Sequence, residues 1–251
     1  MRKHVFSRAI WTWVILATAT LCGSCRGCSE RDTTAVSPAS GSRHQKGTVR
    51  VLIDVSNSFA PFDPLKAKQV ETVLEALADH IVRNWPLSGV ISVHPIDAAS
   101  VKAAPLCPAI EYKSGGLLEG PTLDLPKRVA ICAQLVQARS KAPANDSDIR
   151  DAINVAAASF LNQPNATRLI VVVSDFRDTD VQSATLDPLT GISVLMIYGP
   201  EKSVKNSNDY LGLIKDWQRQ FSEAGALDVR ALQLLSLTQG DVLSQLPDQA
   251  R

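Results

Sequence analysis

Hydrophobic and polar positions change their period several times along this chain, and each change marks an element. Residues 49–54 read Val-Arg-Val-Leu-Ile-Asp, apolar and β-branched, and predict a short strand ending on an acidic residue. From Pro64 the spacing lengthens to three and four. Leu65, Val70, Val73, Leu74, Leu77, Ile81 and Val82 then share one face, which predicts a buried helix closed by Trp85 and Pro86. Residues 90–96 predict a second strand. Between Asp97 and Pro126 the period is lost among prolines and a Gly115-Gly116 pair. That stretch is expected to be a long loop or insertion near the binding face, with at most a short strand. Helices are expected over 125–139 and 148–161, separated by a break at 141–145. Residues 168–174 are almost uniformly apolar, as a parallel strand covered on both faces must be, and 192–198 is another such run. An amphipathic helix over 209–224 carries Leu211, Leu213, Ile214, Trp217 and Phe221, and 227–235 supplies a last strand. Strands alternating with helices predict an α/β fold: a doubly wound, mainly parallel sheet flanked by helices.

The N-terminus follows a different logic. Arg2, Lys3, His4 and Arg8 precede an apolar run over 10–21, short for a membrane span but right for a signal-peptide core. Next comes Leu21-Cys22-Gly23-Ser24-Cys25. Small residues directly before a cysteine resemble the lipobox of bacterial lipoproteins, with Cys25 as the lipidated residue. Cys22 stands where that motif usually has leucine. Cys22 and Cys28 are alternatives with poorer flanks, and an ordinary cleaved signal is the plainer reading. The expected organisation is a signal peptide over 1–25, a flexible tether over 26–47, a folded domain over 48–235 and a tail over 236–251. The lipobox resemblance implies a lipid-anchored protein of the bacterial cell envelope. Arg26 follows Cys25 where an aspartate would imply inner-membrane retention, so a Gram-negative host implies the outer membrane, facing the periplasm.

Composition narrows the field. With 251 residues, 45% hydrophobic and 20% charged, the chain suits one globular α/β domain with extensions. A net charge of +1 gives no electrostatic case for nucleic acid. Of five cysteines, only Cys107 and Cys132 fall in the folded part. In an exported protein they are expected to form a disulfide that pins the irregular stretch around 105–112 to the next helix. Loop closure would make that bond worth about 3 kcal/mol. Two buried free thiols are the alternative. No His or Cys spacing in the exported part suits zinc.

The chemistry concentrates in three segments. Asp54-x-Ser56-x-Ser58 ends the first strand with hard oxygen ligands. By chance such a motif turns up in roughly one chain of this size in twenty, so its place at a strand end matters more than its letters. Asp146-Ser147-Asp148-Ile149-Arg150-Asp151-Ala152-Ile153 opens a helix, and Ser174-Asp175 closes the most apolar strand. Hydroxyls and carboxylates at the tops of neighbouring strands suit Mg2+, and Mn2+ or Ca2+ less selectively. In this order and context the three segments resemble the von Willebrand factor type A (VWA) family and its metal-ion-dependent adhesion site (MIDAS). The resemblance spans roughly residues 48–235. It implies that Asp54, Ser56 and Ser58 form the first metal loop, that Ser147 takes the threonine position of a Thr-Asp-Ile-x-x-Ala-Leu pattern, and that Asp175 is the third-loop aspartate. Two aspartates and three neutral hydroxyls leave the ion waters and an open position for an Asp or Glu of a partner protein. The implied function is metal-dependent protein–protein interaction, adhesion or scaffolding, without catalysis. Phe59-Ala60 and Phe176 stand where the family often has glycine, and Phe176 is expected to crowd the ion or to form an apolar rim.

Other readings of the same residues stay open. The polar groups could only cap loops, with Ser147 as a helix N-cap and Asp54 holding turn amides, in a metal-free structural module of an envelope assembly. A metal-dependent phosphohydrolase is the enzymatic alternative. Haloacid-dehalogenase-like enzymes would want a second aspartate where Ser56 stands, and no positioned base or lysine is visible near the motif. Asp146, Asp148, Asp151, Asp178 and Asp180 are expected to form a solvated acidic fringe. His80 and His94 have no partner spacing and read as surface or packing residues, while Trp85 and Trp217 read as core. Gly-x-Ser-x-Gly, Gly-x-Gly-x-x-Gly and the glycine-rich phosphate loop are absent.

Overall fold

A computed structural model describes residues 46–56, 58–59, 64–85, 88–96, 107–113, 122–139, 147–163, 166–178, 185–199 and 207–234. The elements run β1 (Lys46–Asp54), α1 (Pro64–Asn84), β2 (Ser88–Ile96), β3 (Ile110–Lys113), α2 (Leu125–Arg139), α3 (Ile149–Ala158), β4 (Ala166–Ser174), β5 (Ile192–Tyr198), α4 (Ser207–Glu223) and β6 (Asp228–Gln233). The strands form one sheet in the order β3-β2-β1-β4-β5-β6. All neighbours are parallel except β3, which pairs antiparallel with β2 at the edge. This is the α/β fold expected from the alternating pattern.

Each central strand feeds two cores, which explains its continuous hydrophobicity. On β1, Val49, Val51 and Ile53 face α1 and α2, whereas Leu52 faces α3 and α4. On β4, Leu169, Val171 and Val173 alternate in the same way with Ile170 and Val172. The α4 side is closed by Tyr210, Ile214, Trp217 and Phe221, one stripe of helical period.

Several boundaries shift. β1 begins at Lys46, two residues inside the stretch assigned to the tether. Leu65 is 64% exposed, and Lys66 takes its place on the buried face of α1. Leu211 is also exposed, because the α4 stripe begins at Tyr210. α3 ends at Ala158, short of residue 161, where the Ser159 hydroxyl donates back to the Ala156 carbonyl at 2.6 Å.

The irregular stretch after β2 does hold one short strand, and its packing has a definite cause. Tyr112 of β3 lies flat over Gly47 and Gly89, where an added Cβ would come within 2.3 and 2.4 Å of its hydroxyl oxygen. Cys107 and Cys132 are disulfide-bonded, with Cα atoms 5.7 Å apart, and this ties the approach to β3 onto α2.

The expected signal peptide, Cys25 and its lipid, the tether as far as residue 45, the tail over 236–251, and residues 97–106 and 114–121 of the insertion lie outside the described residues. None of the described helices is long and apolar enough to cross a membrane.

Candidate metal centre

β1 and β4 are neighbours at the middle of the sheet, and the chain leaves them in opposite directions. β1 leads through α1 to β2 on one side, and β4 leads to β5 on the other. The two exits part above the carboxyl ends of the strands, the place where open α/β sheets bind ligands. Asp54 is the last residue of β1 and Ser174 the last of β4.

Local hydrogen bonds hold the first loop. Asp54 is fully buried; its Oδ1 accepts from the Ser56 amide at 2.8 Å, and its Oδ2 accepts from the Ser174 hydroxyl at 2.6 Å. The hydroxyls of Ser56 and Ser58 are 3.1 Å apart and share a hydrogen bond. A matching turn forms the third loop, where Asp175, also fully buried, accepts from the Arg177 amide at 3.0 Å. Ser174 joins the two loops, since its oxygen also accepts from the Phe176 amide at 2.9 Å.

Ser147 is fully buried, and its hydroxyl donates to the Arg177 carbonyl at 3.1 Å, so it is tied to the third loop. It is not the N-cap of α3. Asp148 has that role, its Oδ1 accepting from the Asp151 amide at 2.9 Å. Asp54, Ser56, Ser58, Ser147 and Asp175 are therefore all carried by segments at one end of the sheet, linked through Ser174 and the Arg177 backbone.

Burial pushes the Asp54 carboxyl up to about 6, and the negative charge of Asp175 pushes in the same direction; hydrogen bonds from Ser174 and Ser56 only partly offset them. No basic group is among the causes that act on Asp54. An aspartate whose proton affinity is raised by burial and by a second buried aspartate nearby marks a place for positive charge. The donors are carboxylate and hydroxyl oxygens, which fits a hard divalent cation and not a soft one. Among the described residues no three His, Cys, Asp or Glu side chains cluster as a metal site would require, so the centre emerges only when hydroxyls are counted.

Three features around the centre were not legible from its motifs. Phe176 has φ 61°, the left-handed region, and it is the one such non-glycine residue among those described. A glycine adopts this backbone freely, whereas for another residue it costs about 1–2 kcal/mol. Phe176 offsets that strain by turning inward. Its ring is fully buried edge-on to Trp217 at 5.7 Å, and its carbonyl accepts from Trp217 Nε1 at 2.9 Å. Buried in this way, it forms no exposed apolar rim, contrary to that part of the expectation.

Phe59 is buried as well. The Lys66 ammonium lies 4.7 Å above its ring and donates to its carbonyl at 3.2 Å. A lysine does lie beside the first loop after all, holding its backbone. The available signal was a lysine four residues before Val70 on an otherwise apolar helix face. Asp178, expected in a solvated fringe, is instead largely buried and paired with Arg150. Arg150 also donates to Gln220 at 2.9 Å and stacks 4.7 Å over Trp217, joining α3, the third loop and α4. Burial raises the Asp178 carboxyl, with Arg150 acting against the rise. Asp146 and Asp180 lie outside the described residues.

No protein-family model matches the chain, and no curated protein matches it. Solved structures of similar fold include an aerotolerance-related membrane protein from Bacteroides fragilis, at 18% identity over 79% of this chain and 95% of that one, with a TM-score of 0.48. The conserved hypothetical protein BatB from Bacteroides thetaiotaomicron aligns at 16% identity over 79% and 96%, with a TM-score of 0.45. Proximal thread matrix protein 1 from the mussel byssus, with a zinc-occupied MIDAS motif, aligns at 11% identity over 80% of this chain and 45% of that one, TM-score 0.47.

Proposed function

We propose that this VWA-type domain binds a divalent cation through Asp54, Ser56, Ser58, Ser147 and Asp175, and that the ion's remaining position takes a carboxylate from a partner protein. One observation supports this above the others: Asp54 and Asp175, from different strand ends, are both fully buried, and the charge that perturbs Asp54 is that of the other aspartate. Two buried carboxylates that act on each other's neighbourhood are costly to charge together, and a divalent cation would offset both at once. Mg2+ is the first choice because it keeps waters and is content with few protein carboxylates; Mn2+ and Ca2+ are accepted less selectively. Serine in place of threonine at 147 keeps the oxygen and loses only the methyl that stiffens the rotamer.

In this reading the domain is an adhesion or scaffolding module of the bacterial envelope. It is held by a lipid on Cys25 and a tether, at the outer membrane facing the periplasm in a Gram-negative host. Lys66 does not favour phosphoryl chemistry, because its ammonium is bound to the Phe59 carbonyl and ring. The test is calorimetric titration of Mg2+, Mn2+ and Ca2+ into the full chain, wild type beside Asp54→Ala. Binding lost in the variant is expected, followed by metal-dependent retention of an acidic partner. The absence of heat and of any thermal shift with all three ions would reduce the motif to loop caps and leave a metal-free module.

A further inference from the structure

A second polar site lies on the α3 side of the sheet, below the carboxylates. A cavity of about 140 Å3 is lined by Arg50 and Leu52 of β1, His94 of β2, Val155 and Ala156 of α3, and Ser159 just past the end of that helix. Its walls are mainly apolar, and both of its ionisable groups are basic. Arg50 is half-buried, with Nε donating to the Ser159 hydroxyl at 3.0 Å and Nη1 to the Ser92 hydroxyl. The same Ser92 oxygen lies 3.0 Å from His94 Nε2. The guanidinium carries five donors in a fixed fork. Among the described residues no acceptor meets Nη2, and no carboxylate pairs with the group.

A half-buried cation held only by neutral hydroxyls is an incomplete arrangement, since buried charge is ordinarily paired. Burial lowers the pKa of Arg50 with no acidic neighbour to oppose it, and both burial and the Arg50 charge lower that of His94. Among the described residues nothing anionic completes the site. We propose that this cavity binds a small organic carboxylate, its oxygens on Arg50 Nη2 beside His94 and its apolar body against Leu52, Val155 and Ala156. The volume is close to that of an engineered apolar cavity of about 150 Å3 that holds benzene, which sets the size of the body. Apolar walls favour a carboxylate with a hydrocarbon tail over inorganic phosphate, whose strong hydration asks for a polar cradle. Arg50 precedes Asp54 by four residues, about 13 Å along an extended strand, so this site and the metal centre are separate.

The experiment titrates butyrate, benzoate and inorganic phosphate into the full chain in EDTA at matched ionic strength, following calorimetry and the His94 ring resonances. The expected result is saturable millimolar binding of butyrate or benzoate that shifts the His94 signals, weakens about tenfold or more in Arg50→Gln, and survives in Asp54→Ala. His94→Gln identifies the histidine signals and keeps the question answerable if Arg50→Gln folds poorly, because it should weaken binding while leaving Arg50 in place. Three results would overturn the proposal: no saturable binding of either carboxylate at millimolar concentration, binding indifferent to both substitutions, or phosphate preferred over both carboxylates.

Discussion

Replacing Asp54 by asparagine should stabilise the metal-free protein and abolish its response to metal. In the folded chain this carboxyl is raised from 3.8 to about 6, chiefly by burial and then by Asp175. At pH 7.5 the folded state must hold a charge it disfavours by about 2 pKa units, which is about 3 kcal/mol. Asparagine removes that charge. Its amide oxygen can still accept from the Ser56 amide, and its NH2 can donate to Ser174, whose hydroxyl must then reorient. Allowing for that rearrangement, the variant should gain about 2 kcal/mol without metal, or roughly 4–8 °C in a domain of this size. The sign with pH follows from the direction of the shift. A raised carboxyl binds its proton more tightly in the folded state, so wild-type stability falls as pH rises from about 4 to about 6 and then levels off. The advantage of Asp54→Asn should therefore be absent near pH 4 and complete above pH 6. Saturating Mg2+ should reverse the order, because only the wild type gains binding free energy. Denaturant melts of both proteins in EDTA and in Mg2+, from pH 4 to 8, read all of this. An asparagine variant less stable than wild type in EDTA at every pH, or equal stabilisation of both by Mg2+, would refute this reasoning about Asp54.

Two further substitutions probe its supports. Gly89→Ala should destabilise by about 2–3 kcal/mol in thermal unfolding, since the new Cβ would meet Tyr112 and the Gly47 carbonyl at about 2.4 Å with backbone on one side. Phe176→Gly should relieve the left-handed strain but lose the ring packed on Trp217. A net loss of about 2 kcal/mol is expected by denaturant melt, together with a changed Trp217 fluorescence.

Much of the fold was legible because its signals are periodic. α2 occupies the expected residues 125–139, and the apolar runs of β4 and β5 could only be strands covered on both faces. Legibility failed where one residue answers to two demands. Lys66 is a charged residue on an apolar stripe, and only the Phe59 carbonyl explains it. Ser147 and Asp148 are adjacent residues of equal capping ability, and spacing cannot say which one caps α3 and which turns to the third loop. The three motif segments named the aspartates and hydroxyls. That Ser174 bridges β1 to β4, and that Phe176 is left-handed, depends on how two strand ends meet, which no local pattern encodes.

The brevity of β3 bears on how this domain lives among copies of itself. A sheet edge of four residues, with Glu111 and Lys113 pointing to solvent, is a poor template for a strand from a neighbouring molecule. Crowded side by side, such domains would resist zipping into fibres along that edge. On the proposed reading, recognition would fall to the loops above the carboxyl ends of the strands, away from that edge.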